Sequence, residues 1–129
     1  MKSWKRLLLL CCTVLTILAV AGCGGAAKVS PQDVFELFPT SNYWTFLKLD
    51  TSTGEIWQVH FSVDDANAKG TVPLNTIPLA EGGEPGRFTL YPTKNMYNFI
   101  LLDQRDGRTW QVQWSFEEET RGIVTSLDK

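Results

Sequence analysis

The sequence predicts an all-β fold: two tandem four-stranded repeats forming an eight-stranded antiparallel sandwich or squat barrel. Three observations carry that reading. Residues 35–62 align with residues 88–115 at an offset of 53, and 13 of these 28 positions are identical. A period near 50 marks a repeated supersecondary unit. Each copy holds an Asp-x-x-x-Gly segment between apolar runs, Asp50 to Gly54 and Asp103 to Gly107. There Asp can close a hairpin turn through its side chain while Gly supplies a positive φ. All aromatics except Trp4 lie beyond residue 22. That excess of strand-forming residues suits a packed β core, not a disordered stalk.

Taken in chain order, the first element is a leader. Lys2, Lys5 and Arg6 precede residues 7–21, which are apolar apart from Thr13 and Thr16. A basic start, a short apolar stretch and small residues after it make the layout of a secretory signal. The apolar run falls short of the ~20 residues that span a bilayer. Val20-Ala21-Gly22-Cys23 resembles the lipobox of bacterial lipoproteins. The resemblance implies cleavage before Cys23 and acylation of its thiol with palmitate-type chains. Several such chains, at ~0.8 kcal/mol per buried CH₂, hold a protein to a membrane where one is marginal. Gly24, where an aspartate would signal inner-membrane retention, implies the periplasmic face of the outer membrane in a host that has one. Residues 1–22 are therefore expected to be the signal, residues 23–33 the lipidated cysteine and tether, and residues 34–129 one β domain. That domain comprises repeats 34–74 and 87–126.

Within the repeats the expected strands are 35–38 and 88–91, 43–49 and 96–102, 56–63 and 109–116, and 70–74 and 122–125. Ser30-Pro31 predicts a single helical turn just ahead of the first of them. Pro39 and Pro92 stop the first strand of each copy, and Asn42 and Asn95 turn the chain. The Pro- and Gly-rich residues 75–86 connect the copies. A three-residue hairpin loop ending at Gly54 or Gly107 sets the register. It pairs Leu49 with Trp57, Leu47 with Val59, Leu102 with Trp110 and Ile100 with Val112. One face then carries Leu47, Leu49, Trp57, Val59, Phe61 and Val63. The second copy repeats it with Ile100, Leu102, Trp110, Val112, Trp114 and Phe116. These apolar faces are expected to meet as the core, Trp inward.

The opposite face is the candidate binding face: Trp44, Phe46, Gln58 and His60 in the first copy, Tyr97, Phe99, Gln111 and Gln113 in the second. Planar aromatics beside neutral amides suit sugar rings and extended peptides. The competing role for Phe46 and Phe99 is packing under the short outer strands. Asp50 and Asp103 sit in separate turns, where capping accounts for both carboxylates. His60 is the only histidine, and Cys11, Cys12 and Cys23 are all spoken for by the leader and anchor. No zinc set or Cys-His or Ser-His-Asp constellation is expected, and no metal or cofactor. The formal net charge is −2, and loss of the three leader cations makes the remainder more acidic. Nucleic acid is not an expected partner.

The segment from Asn95 to Asp103, with Gly107-Arg108-Thr109-Trp110-Gln111-Val112-Gln113-Trp114, resembles small bacterial proteins of unknown function that share an L-L-D-x-x-x-G-x-x-W-x-V hairpin. The two-unit layout is also similar to two-blade lectins that assemble as trimeric propellers, a likeness of architecture alone. The expectation is a non-catalytic, membrane-anchored envelope lipoprotein. Its work would be protein interaction or envelope maintenance, with glycan binding as the alternative.

Overall fold

A computed structural model describes residues 33–64 and 69–129. The signal, Cys23, the tether up to residue 32 and all of the expected Ser30-to-Asp33 turn except Asp33 lie outside the described residues. The architecture is all-β: two four-stranded antiparallel sheets arranged as a sandwich, not a closed barrel. The first sheet is an up-and-down meander of β1 (Phe35–Pro39), β2 (Thr45–Asp50), β3 (Ile56–His60) and β4 (Gly70–Asn75). The second repeats it with β5 (Phe88–Pro92), β6 (Asn98–Asp103), β7 (Thr109–Gln113) and β8 (Gly122–Ser126).

The turns form for the expected local reasons. The side-chain carbonyl of Asn42 accepts the Trp44 amide at 2.8 Å, and that of Asn95 accepts the Tyr97 amide at 3.0 Å. These turns delay β2 and β6 by two residues relative to the expected starts. β3 and β7 end early, at His60 and Gln113, because Ser62 and Ser115 turn the chain. Their hydroxyls accept the Asp64 and Glu117 amides at 3.0 and 3.1 Å. Asp50 Oδ1 caps its hairpin by accepting the Ser52 amide at 2.9 Å, and Asp103 Oδ1 accepts the Arg105 amide at 2.9 Å. Gly54 and Gly107 follow at φ 81° and 80°.

The hairpin register differs from the expectation by one residue. The Asp50 amide donates to Glu55 O at 2.9 Å and the Gly54 amide to Asp50 O at 2.9 Å, so the loop has four residues, not three. Leu49 pairs with Ile56, Lys48 with Trp57, Leu47 with Gln58 and Phe46 with Val59. In the second copy Leu101 pairs with Trp110 and Phe99 with Val112. A one-residue slip sends alternate side chains to the other face. The inward face of the first sheet is therefore Thr45, Leu47, Leu49, Ile56 and Gln58, all buried. Trp57 and Val59 share the outward face with Phe46, and Phe61 and Val63 are exposed.

The second sheet buries the other parity. Its inward face is Phe88, Leu90, Phe99, Leu101, Trp110, Val112 and Trp114, while Ile100 and Leu102 are half-buried on the outside. Phe116 is exposed. Trp110 thus points inward as expected and Trp57 does not. The two copies fold alike, yet they do not meet through equivalent faces.

The sheets are joined along their turn ends. β2 lies against β5 and β4 against β8. Thr51 is the hub: its amide donates to Val34 O at 2.7 Å, its carbonyl accepts the Phe88 amide at 2.8 Å, and its hydroxyl accepts the Gly86 amide at 2.9 Å. Gly83 crosses the first hairpin so closely that a Cβ there would stand 1.8 Å from Ser52 O. The connection between copies is strapped to the hairpin it passes over.

Candidate functional site

The eight expected binding-face residues are divided among several environments. Phe46 is half-buried on the outward face of the first sheet, where its ring lies 6.0 Å from that of Phe61. Phe61 in turn meets exposed Trp44 edge-on at 5.4 Å. At the other end of this face Phe35 meets Trp57 at 6.2 Å, and Lys48 Nζ sits 4.4 Å over the Trp57 ring. An apolar, largely aromatic surface therefore runs across the whole first sheet, with one cation held against an indole.

Gln58 and His60 are on the opposite side of that sheet. Gln58 is buried, and its Oε1 accepts the Ser115 amide at 3.3 Å, linking the sheets. His60 Nδ1 lies 3.1 Å from the Thr45 hydroxyl, and its ring meets Phe116 edge-on at 5.4 Å. These two residues, with Phe116 and Arg121, line a cleft of about 190 Å³ between the sheets.

Tyr97 and Gln113 share a second, wider cleft of about 360 Å³ with Asn95, Trp114, Phe116 and Glu117. The Tyr97 ring lies 5.0 Å from that of buried Trp114, whose indole N–H donates to Met96 O at 2.8 Å. Gln113 Nε2 donates to Thr120 O at 2.7 Å. Gln111 faces the outside of the second sheet and donates to Asn98 Oδ1 at 2.7 Å. Phe99 is buried in the core, the packing role that competes with ligand contact at this position.

Phe116 is the expected core residue whose displacement shapes both clefts. Periodicity assigned it to the core, but the Ser115 turn swings it out, and it forms a wall common to both clefts. Arg121 borders the first cleft and Glu117 the second. A serine ending a strand just before an aromatic was the available signal for this bend.

The turn end of the second sheet holds the strongest electrostatic feature. The Asp103 carboxylate is fully buried and receives Arg87 Nε at 3.1 and 3.0 Å and Nη2 at 2.7 Å. Burial pushes the Asp103 pKa up. The Arg87 fork and the Arg105 and Asp106 amides outweigh it, so the net direction is below the usual carboxylate value. Arg87 is correspondingly raised, first by its hydrogen bond to Asp103. Asp106 and Arg108 extend the cluster, with Arg108 Nε 2.7 Å from Asp106 Oδ2. This cluster stands at the hairpin end of its sheet, whereas both clefts open near the ends of β3 and β7. Its chemistry is that of a clamp on the β5 start, not of an acid–base pair. Among the described residues no group of three or more His, Cys, Asp or Glu side chains is placed to hold a metal ion.

The site can supply aromatic faces, neutral amides and one imidazole to a ligand. No family model, curated protein or solved structure matches this chain.

Proposed function

We propose that this chain is a non-catalytic lipoprotein of the bacterial cell envelope, anchored through Cys23, whose work is protein interaction or envelope maintenance. The observation that carries the reading is the outward face of the first sheet. Phe35, Leu37, Trp44 and Phe61 are exposed there, with Phe46 and Trp57 half-buried between them. A contiguous apolar surface of this kind on a small domain marks a place where another surface sits. The polar groups that invite a catalytic story have structural work: Asp50 and Asp103 cap turns, and Gln58 bridges the sheets. The lipobox at Val20 to Cys23 and the Gly24 that follows support placement on the outer membrane, facing the periplasm, in a host that has one.

Photo-crosslinking in living cells from position 44 tests this reading. It is expected to yield a discrete adduct that Phe61→Ser abolishes without lowering the protein's thermal midpoint. An unchanged adduct pattern in that variant counts against the face.

Glycan binding is the second reading, and the Tyr97 cleft favours it. An exposed phenol tilted against Trp114, with Asn95, Gln113 and Glu117 lining the same cleft, offers a ring platform with hydrogen-bonding groups beside it. Cell-wall fragments are expected to perturb tryptophan emission through Trp114, and Tyr97→Ala to remove the response. A flat titration across muropeptides and surface polysaccharides ends that reading.

A further inference from the structure

The two sheets are joined by an interface that is not self-complementary. The first sheet offers its Leu47, Leu49 and Gln58 side; the second offers its Phe88, Leu90, Trp110 and Trp114 side. Because the sheets are repeats, each chain carries one further copy of both surfaces. The outward face of the first sheet is the repeat equivalent of the second sheet's buried face. Phe35 corresponds to Phe88, Leu37 to Leu90 and Phe61 to Trp114, with exposures of 53, 58 and 39% against 1, 3 and 0%. The outward face of the second sheet, with Ile100, Leu102 and Gln111, is the equivalent of the Leu47, Leu49 and Gln58 face.

The contact details repeat the same asymmetry. A Cβ on Gly54 would meet the Phe88 ring at 3.2 Å, whereas one on its equivalent Gly107 meets no described atom within 4 Å. A Cβ on Gly122 would stand 3.4 Å from Leu74 O in the first sheet, whereas one on its equivalent Gly70 again meets none. At each of these positions the partner that fills the first junction has no counterpart for the second.

We propose that a second copy of this chain docks on the outward face of the first sheet, head to tail, and that two to four copies close into a ring of radially stacked sheets. The inference rests on the interaction-module reading and names its occupant. A heterologous contact closes into a ring or runs on as a filament. Four-stranded meanders stacked face to face close at about 4–8 sheets, which is two to four chains at two sheets each. The neighbour's Gln111 carbonyl then meets the Ser62 amide, as Gln58 meets Ser115. The neighbour's Gln104 carbonyl meets the Phe35 amide, as Thr51 meets Phe88. Lys48 sets the new junction apart from the internal one, since its equivalent Leu101 is fully buried. Its ammonium enters the junction already seated on Trp57, and its desolvation makes this contact weaker than the internal one.

The test is the molar mass of the detergent-extracted full chain, by light scattering and native mass spectrometry, in wild type and two surface variants. Leu37→Glu spoils the first sheet's outward face, and Leu102→Glu spoils the second's. Wild type is expected at one fixed multiple of the chain mass between two and four, constant with concentration. Each variant alone is expected to be monomeric. Their mixture is expected to give a one-to-one dimer, because one intact junction remains between them. Ser62→Cys with Gln111→Cys is expected to crosslink between chains, while Gln58→Cys with Ser115→Cys closes within one.

A mass that climbs with concentration overturns the ring. A mixture that stays monomeric, or a variant that dimerises alone, overturns the head-to-tail contact. A monomeric wild type whose first sheet still forms a discrete adduct with a different envelope protein overturns self-assembly and spares the interaction reading. A monomeric wild type without any adduct overturns both.

Discussion

Asp103 and Asp50 occupy the same position in the two repeats and begin with the same task, closing a hairpin through the side chain. What separates them is the residue that precedes the first strand of each copy: Val34 in one, Arg87 in the other. Arg87 turns a turn cap into a buried, fork-held ion pair. Breaking one side of such a pair leaves the other buried without its counter-charge. The folded Asp103 pKa lies below its unfolded value, so the stability it contributes is complete above the ordinary carboxylate range. That contribution is lost as pH falls through the folded value. Asp103→Asn should therefore lower the denaturation midpoint most at neutral pH. Urea titrations of wild type and variant should converge as the pH drops below about 4. A gap that stays constant into acid would show that the carboxylate's charge is immaterial. The two turns were both legible from Asp and Gly in the sequence, but the ion pair was not. Arg87 and Asp103 are 16 positions apart, and the strand pairing of β5 with β6 is what brings them together.

At the level of the strands, the loop length decides which residues share a face, and the packing of the two sheets decides which face is core. Both faces of each hairpin are rich in apolar residues, so alternation alone cannot choose between them. The four-residue loops put Trp57 opposite Lys48 and Trp110 opposite Leu101, the same register in both copies, and the sheet packing then leaves Trp57 outside with Gln58 inside while burying Trp110. The same Trp-Gln-Val run is thus read in opposite directions by two sheets of one protein. Stability measurements distinguish these environments. Trp110→Ala is expected to cost about 3–5 kcal/mol, the usual range for emptying a buried aromatic site. Trp57→Ala, measured at dilutions where chains are separate, should cost less than about 1.5 kcal/mol, since its ring is half-exposed and packs on Phe35 and Lys48. Equal losses would return Trp57 to the core and refute the observed packing of unlike faces. The expected candidate face failed to assemble for the same reason. Phe46 and Gln58 lie on different sides of the first sheet, whereas Tyr97 and Gln113 share a cleft because the Ser115 bend closes the end of β7 over them.

For the molecule as a whole, the proposed anchor and the proposed ring are linked by symmetry. Rotation about a ring axis leaves every first strand at one height, so tethers leaving ahead of Phe35 would all emerge on one rim. Residues 24–33 reach at most about 35 Å when extended, which would hold that rim near the lipid surface. Several anchored chains in one assembly would also make detachment far slower than from a single anchor. Cys23→Ala is expected to leave an unlipidated, unprocessed precursor. Metabolic labelling with a clickable fatty acid checks it, and a normally acylated product from that variant would remove the anchor.

Duplication, strand count, the Asp and Gly of the hairpin turns and the all-β class were readable from the chain, because they depend on local propensity and on a repeat visible as identity; the choice of sandwich over barrel came from the sheet pairing. Which side of each sheet faces its sister was not readable. Two copies of one sequence have the same side chains on the same faces. Only a packing in which unlike faces meet can bury Trp110 while leaving Trp57 outside. That choice belongs to the contact between the sheets, and no single hairpin contains it.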